Sequence, residues 1–351
     1  MVIKVKKIIS FFIMLANMFI TKSVSSNYDQ YVNKSYIVMN ASNNEIIEGK
    51  DVNLVRSVAS VSKIMTAIVA IENGDLNKEI IIEKEDINTY GSSIYLQEGD
   101  KISLLDLLYG LMLRSGNDAA KAIARGVGGS EENFIVMMNN KAQELGMKNS
   151  SFNNPSGLDV DETGNLSTSY DLALLMSYAI KNETFLQISG SKEYKSYKGV
   201  WSNKNKLLRN YKNTIAGKTG FTYKAKRTLV SAAKEEETTF VVVTLDCGND
   251  FNFHKFLYER NFNKYVTNLV LNKGDNYIAD YLIKCDNNIY ITLERDKIDQ
   301  YSILHEIRND FSSMYLIDDN SKQEIGKCKI EQLVIKKQKK SLIDKIKDFF
   351  S

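Results

Sequence analysis

Histidine is nearly missing from this chain, with two in 351 residues, His254 and His305. Neither belongs to an HExxH stretch or a carboxylate-histidine cluster, so the sequence offers no metal centre. A Ser-His-Asp triad would have to recruit one of them from outside any motif, and a structural histidine is the default for both. Cysteine is as sparse. Cys247, Cys285 and Cys328 are odd in number, far apart and without a CxxC pair. They are neither a disulfide framework nor a zinc site. Buried thiols are the plain reading, with one bridge, Cys285 to Cys328, left open. A net charge of +3 supplies no global basic field, which argues against nucleic acid as a partner.

What is present begins with a leader. Lys4, Lys6 and Lys7 precede the apolar run "IISFFIMLANMFI" at 8–20, and "SVSS" then offers small residues near Ser25. This is the order of a secretory signal, here residues 1–26, and the run is shorter than the ~20 residues a spanning helix needs. An uncleaved anchor is the alternative. Either way the body of the chain is expected outside the cytoplasm. Its hydrophobic content of 43% and charged content of 25% are those of a folded protein of one large or two ordinary domains.

The segment "SYIVMNASNNEIIEG" (35–49) predicts two short strands around an Asn43-Asn44 turn. After Ser60, Ile64, Ala67, Ile68 and Ile71 follow helical spacing, with Val69 and Ala70 on other faces, so this helix is expected inside a domain. Residues 102–127 predict a helix, a break at Ser115-Gly116-Asn117 and a second helix. Ser130 is placed to cap the next one, and Gly146 to stop it. A polar loop at 153–167 holds the only proline, Pro155. "STSYDLALLMSYAI" returns to helix. Strands follow in "TIAGKTGF", "RTLVSAAK" and "TTFVVVTLD". Helices thus sit between an N-terminal hairpin and C-terminal strands, so both ends of this region are expected to share one antiparallel sheet. Residues 268–335 alternate in short stretches and predict a small all-β domain.

The stretch "SVASVSKIMTAIVAIE" (57–72) poses a chemical question, since a lysine at the mouth of a buried helix is costly unless it is used. If Ser60 starts the helix, Ser60 and Lys63 share one face a turn apart. A serine hydroxyl needs a base to become a nucleophile. Lysine can be that base only when its pKa of ~10.4 is lowered by burial or a neighbouring cation. The pair alone is weak evidence, and a serine cap with a snorkelling lysine reads equally well. Two further motifs change the balance: Ser115-Gly116-Asn117 at a helix-helix break, and Lys218-Thr219-Gly220 on a strand, where the glycine would let a substrate backbone approach. SxxK, SxN and KTG in this order form the signature of penicillin-binding proteins and class A β-lactamases.

With these motifs the sequence resembles the serine-type D-alanyl-D-alanine carboxypeptidases, the low-molecular-mass penicillin-binding proteins. The blocks "YIVMNASNNEIIEGKD", "ASVSKIMTA", "LMLRSGNDAA", "FIVMMNNKAQELGMKNSSFNNPSGLD", "STSYDLALLM" and "GKTGFT…TLVSAA" carry the likeness over roughly 35–246. The resemblance implies an α+β fold: a β-lactamase/DD-peptidase-like domain at 27–265, a small β domain at 266–335 and a basic amphipathic tail at 336–351. It implies Ser60 as acylated nucleophile, Lys63 as base and Ser115 as proton relay to the leaving amine. Asn117 would hold the substrate amide, and Lys218 and Thr219, followed by Gly220, the terminal carboxylate. The N–H groups of Ser60 and Phe221 would form the oxyanion hole. The reaction implied is removal of the terminal D-alanine from peptidoglycan stem peptides, with β-lactams as covalent mimics and no cofactor.

Departures from the family pattern fall at Ser156-Gly157-Leu158, at Asn165 ahead of Ser167-Thr168, and at Lys226, where histidine, histidine and glycine are common. They bear on substrate preference. A β-lactamase is the near rival, and it would want a water-activating acid such as Glu162, beside Asp159 and Asp161. A non-catalytic wall-binding homologue is the rival of another class. The tail "KKQKKSLIDKIKDFFS" puts Leu342, Ile343, Ile346, Phe349 and Phe350 on one helical face among six lysines. Such a helix is expected on an anionic membrane surface, the alternative being packing against the β domain. The enzyme would then work at the outer face of the cytoplasmic membrane.

Overall fold

The computed structural model describes residues 2–5, 32–159, 164–308, 310–318 and 321–333. The leader at 1–26 lies outside these residues apart from Val2–Val5, as do the tail at 336–351 and the loop acids Asp161 and Glu162. The chain divides into two compact units, residues 21–266 and residues 267–351 together with 1–20.

The first unit is built on a five-stranded antiparallel sheet. Its strands are β1 (Val32–Asn40), β2 (Glu45–Lys50), β3 (Thr214–Thr222), β4 (Lys226–Glu235) and β5 (Thr238–Cys247). The spatial order is β3-β4-β5-β1-β2, so the two ends of the region meet in one sheet as the alternating segments predict. Asn44 turns the first hairpin at φ 58° and Glu236 the last at φ 52°, left-handed positions that asparagine tolerates better than glutamate.

Alternation along the strands sends side chains to two different cores. Ile37, Met39, Val230, Val241 and Val243 face a helical layer. Val38, Leu229, Phe240 and Val242 face the helix Asp250–Lys264 through Phe253, Leu257 and Phe262. The helical layer contains α1 (Lys63–Asn73), α2 (Leu104–Tyr109), α3 (Asn117–Gly128), α4 (Glu131–Glu144) and α5 (Ser169–Ala179). Every residue of α1 from Lys63 to Ala70 is buried, which its apolar sides require. Ser130 caps α4 by accepting from the Asn133 N–H, and Gly146 follows its end at φ 72°.

The second unit contains a six-stranded antiparallel sheet and most of a separate strand pair, Tyr265–Leu271 with Ile289–Glu294, with one 3₁₀ turn, Arg295–Gln300, among its described residues. Val2–Val5 runs antiparallel to Ser302–Arg308 at one edge. The bridge left open by the sequence is formed: Cys285 on Tyr281–Cys285 bonds Cys328 on the neighbouring Lys322–Leu333, and only Cys247 stays a buried thiol.

Candidate active site

Ser60 does not begin the α-helix. It sits in a 3₁₀ turn, Ala59–Ser62, and α1 starts at Lys63. The turn still stacks residues three apart, because 3₁₀ geometry eclipses i and i+3. Lys63 Nζ lies 3.2 Å from Ser60 Oγ. Ala59, just before the serine, is held at φ 52°, an uncommon conformation for alanine that aims the turn. Ser62 secures it by donating to the Ala59 carbonyl at 2.8 Å.

Lys63 is fully buried and donates to two further acceptors, Asn117 Oδ1 at 2.7 Å and the Ser156 carbonyl at 2.5 Å. Burial lowers its pKa well below the usual lysine range, and the cations Lys218 and Lys204 push it further down, while Asp118 acts the other way. A neutral amine has two N–H bonds and one lone pair. With both N–H groups directed to Asn117 and Ser156, the lone pair is left for the proton of Ser60.

The break at 115–117 is real and strained. A π-helical turn, Gly110–Arg114, ends at Ser115, which is buried at φ 65°. α3 then starts at Asn117, whose N–H donates to the Ser92 carbonyl at 2.8 Å and whose Nδ2 donates to the Tyr90 carbonyl at 2.6 Å. The second bond fixes the amide so that its oxygen meets Lys63. One N–H and one lone pair of the amide remain for a substrate.

β3 is an edge strand and carries the third motif. Lys218 is buried, and burial, then Lys204, lowers its pKa to about 7. Its Nζ donates to the Thr219 carbonyl at 2.9 Å. Gly220 is also required by packing within the chain. A Cβ there would stand 2.4 Å from Thr228 Oγ1, 3.0 Å from Ser60 N and 3.1 Å from Val61 N. The missing side chain makes room for the Ser60 turn, and so brings the Lys218–Phe221 strand against the nucleophile. Phe221 itself is exposed.

Four contributors were not legible as site residues. Ser156 contributes a backbone carbonyl, for which residue type gives no signal. Tyr90 likewise acts through its carbonyl. Lys204, outside all three motifs, bonds Ser92 Oγ at 2.8 Å and adds positive charge. Asp118, next to Asn117 in "SGNDAA", lies outside the SxN motif and carries no catalytic signal of its own. It is buried and accepts from the Ile94, Leu96 and Ala119 N–H groups at 3.1, 3.1 and 2.9 Å, ordering the segment that holds Asn117.

Neither histidine is among the motif residues of the site, and His254 has a packing role. His254 is buried on the far face of the sheet, where Nδ1 and Nε2 pair with Ser231 Oγ at 2.8 Å and Thr244 Oγ1 at 2.9 Å, and burial lowers its pKa to about 3. His305 lies in the second unit. Among the described residues no group of acidic, histidine and cysteine side chains is arranged to hold a metal ion.

Comparison with known proteins adds three findings. The family model described as Peptidase_S11, D-alanyl-D-alanine carboxypeptidase, matches residues 21–249. The D-alanyl-D-alanine carboxypeptidase DacF of Bacillus subtilis is 32% identical over 256 residues, 65% of each chain, so the match spans just under two thirds of that relative. Among solved structures, a D-alanyl-D-alanine carboxypeptidase from Mycobacterium tuberculosis H37Rv superposes with a TM-score of 0.62 at 29% identity, over 65% of this chain and 90% of that one. Penicillin binding protein 5 from Haemophilus influenzae shares the fold over 86% of this chain and 97% of its own, with a TM-score of 0.76 at 21% identity.

Proposed function

Because the chain belongs to the peptidase S11 family of D-alanyl-D-alanine carboxypeptidases, we propose that it removes the terminal D-alanine from peptidoglycan stem peptides through a Ser60 acyl-enzyme. The observation that carries this reading is the buried Lys63 amine, 3.2 Å from Ser60 Oγ and held by two other acceptors.

Lys63 takes the Ser60 proton as Oγ attacks the carbonyl of the penultimate D-alanine. The oxyanion forms against the Ser60 and Phe221 N–H groups, brought together by the close approach at Gly220. Ser115 passes the proton to the leaving amine, D-alanine departs, and water hydrolyses the ester. Asn117 steadies the substrate amide. Lys218 and Thr219 take the terminal carboxylate. With its pKa lowered to about 7, Lys218 is only partly charged in the free enzyme, and an incoming carboxylate favours its ammonium form. That charge in turn keeps Lys63 neutral.

β-Lactams would acylate the same serine. The leader and the basic tail support an exported enzyme working at the outer face of the cytoplasmic membrane, with a catalytic domain at 27–265, a β domain at 266–335 and the tail on the lipid. Among the described residues no helix is long and apolar enough to cross a membrane. Asp159, the described acid of the loop that a β-lactamase would use, accepts from Ser57 Oγ at 2.7 Å and is thereby engaged.

The test is to incubate the mature protein and Ser60→Ala with a fluorescent penicillin and weigh the intact products. Label on the parent alone, slow release of it and D-alanine release from a stem-peptide mimic are expected. Rapid turnover of the penicillin would move the reading to a β-lactamase. A folded parent that takes no label would move it to a non-catalytic wall binder.

A further inference from the structure

The Ser156 carbonyl is one of the two acceptors that orient Lys63, and it belongs to a five-residue turn with a single organising side chain. Asn154 is buried, and its Oδ1 accepts three hydrogen bonds: from Ser156 N at 3.1 Å, Ser156 Oγ at 2.9 Å and Gly157 N at 2.7 Å. Its Nδ2 donates to the Leu158 carbonyl at 2.9 Å. Asn165, in turn, accepts from Asn154 N at 3.1 Å and donates to the Asn154 carbonyl at 2.9 Å. The turn is therefore tied from inside by Asn154 and from outside by Asn165.

The same turn is clamped onto α1. Thr66, one turn after Lys63, donates to the Pro155 carbonyl at 2.6 Å, so consecutive carbonyls of the turn meet the same helix face at i and i+3. The Ser156 hydroxyl, standing where the resembled family often has histidine, joins the knot through Asn154 and accepts from Leu158 N at 3.2 Å. The carbonyl that Lys63 needs is thus supplied by the backbone, and the side chain is free to vary as long as the turn keeps its shape.

We infer that Asn154 is a positioning residue for the acylation step: it fixes the Ser156 carbonyl, and that carbonyl turns the Lys63 amine so that its lone pair faces Ser60. This rests on the Ser60–Lys63 reading above. Without the Asn154 side chain the turn keeps the Asn165 bonds to its main chain at 154 and the Thr66 bond at Pro155, but the Ser156 and Gly157 N–H groups lose their common acceptor. The Ser156 carbonyl shifts, the amine regains rotational freedom, and acylation slows while substrate affinity is kept.

The test compares the full-length parent with Asn154→Ala and Asn154→Asp. Aspartate keeps the oxygen that accepts the three donors and loses only the donor to Leu158. Acylation by a fluorescent penicillin is followed from pH 5 to pH 10, alongside thermal unfolding. Asn154→Ala is expected to lower the acylation rate at saturating penicillin by about 10- to 100-fold at every pH. Asn154→Asp is expected to retain most of the rate at high pH. Its added negative charge favours the Lys63 ammonium, so the acid limb of its profile moves up by roughly one unit. That limb also reports the charges facing Lys63 from other elements, Lys218, Lys204 and Asp118, which are the same in all three proteins.

If both variants fold and match the parent in rate and pH profile, with only their melting temperatures lowered, Asn154 is structural and the inference fails. If Asn154→Ala does not fold, Asn154→Ser, whose shorter side chain cannot hold all three donors, takes its place, and an unchanged acylation rate at saturating penicillin overturns the inference. A parent that takes no label at Ser60 instead removes the functional reading, and the inference with it.

Discussion

Gly157 and Ala59 approach so closely that a methyl group on Gly157 would lie 2.0 Å from the Ala59 carbonyl oxygen. Gly157 also sits at φ 76°, where an L side chain is strained regardless of space. The contact presses the 154–158 turn against the Ser60 turn, so the two sides of the Lys63 amine are set by one backbone junction. Gly157→Ala is expected to cost roughly 3 kcal/mol or more, enough to show as a large fall in melting temperature or as loss of soluble protein.

A second prediction concerns Lys218. Its folded pKa of about 7 lies below the 10.5 of an ordinary lysine, which applies to an unfolded chain. Between those two values the unfolded state binds a proton that the folded state does not, so stability rises with pH across that window. Below about 7 the whole penalty is present, and above about 10.5 none of it is. Lys218→Met removes the burden together with the carboxylate grip proposed for this lysine. The variant is expected to be more stable than the parent near pH 7, by on the order of a few kcal/mol, with the difference shrinking towards pH 10. Melting temperatures of both proteins across pH 7–10 check this, and an unchanged difference would refute it.

His254 is expected to be dispensable for chemistry. His254→Gln should keep the parental acylation rate while losing about 1–3 kcal/mol from the paired hydroxyls it leaves. In the parent the unfolded histidine takes a proton as pH falls below the ordinary histidine value of 6.5, whereas the folded one resists until about 3. The unfolded state therefore gains protons first, and stability declines as pH falls from 6.5 towards 3. Chemical denaturation at pH 4 and pH 7 should show a smaller acid loss in the variant.

The Cys285–Cys328 bridge closes a loop with a sequence separation of 43 residues. In the chain-entropy picture, removing such a bridge costs about 4 kcal/mol. Replacing both cysteines with serine should lower the unfolding temperature of the second unit. Penicillin labelling of Ser60 should persist, because every proposed site residue lies within residues 21–266. Differential scanning calorimetry paired with a labelling assay separates the two effects.

Much of the fold was legible because its signals are local. The apolar spacing after Ser60, the Ser130 cap, the Gly146 stop and the alternating strands each depend on residues a few positions apart. The motifs were legible for the same reason: Ser60 and Lys63 are three apart in any helical turn. The 3₁₀ start was not, since it depends on Ala59 being forced to φ 52° between the Ser156–Leu158 turn and β3. The motif and its strand give Gly220 a substrate-facing role, and the packing adds a second demand on it, since Thr228 Oγ1 and the Ser60 and Val61 N–H groups crowd the place of a Cβ.

Which groups the proposed chemistry relies on, and the order in which they occur, could be read in the sequence, because side-chain identity and short spacing are written in adjacent residues. The tertiary structure decided what state those groups are in. Lys63 is lowered by burial and by Lys218 and Lys204, which are brought to it from more than a hundred residues away. One of its acceptors is a main-chain carbonyl, a group every residue possesses, so no residue type could announce it. Only the fold selects Ser156.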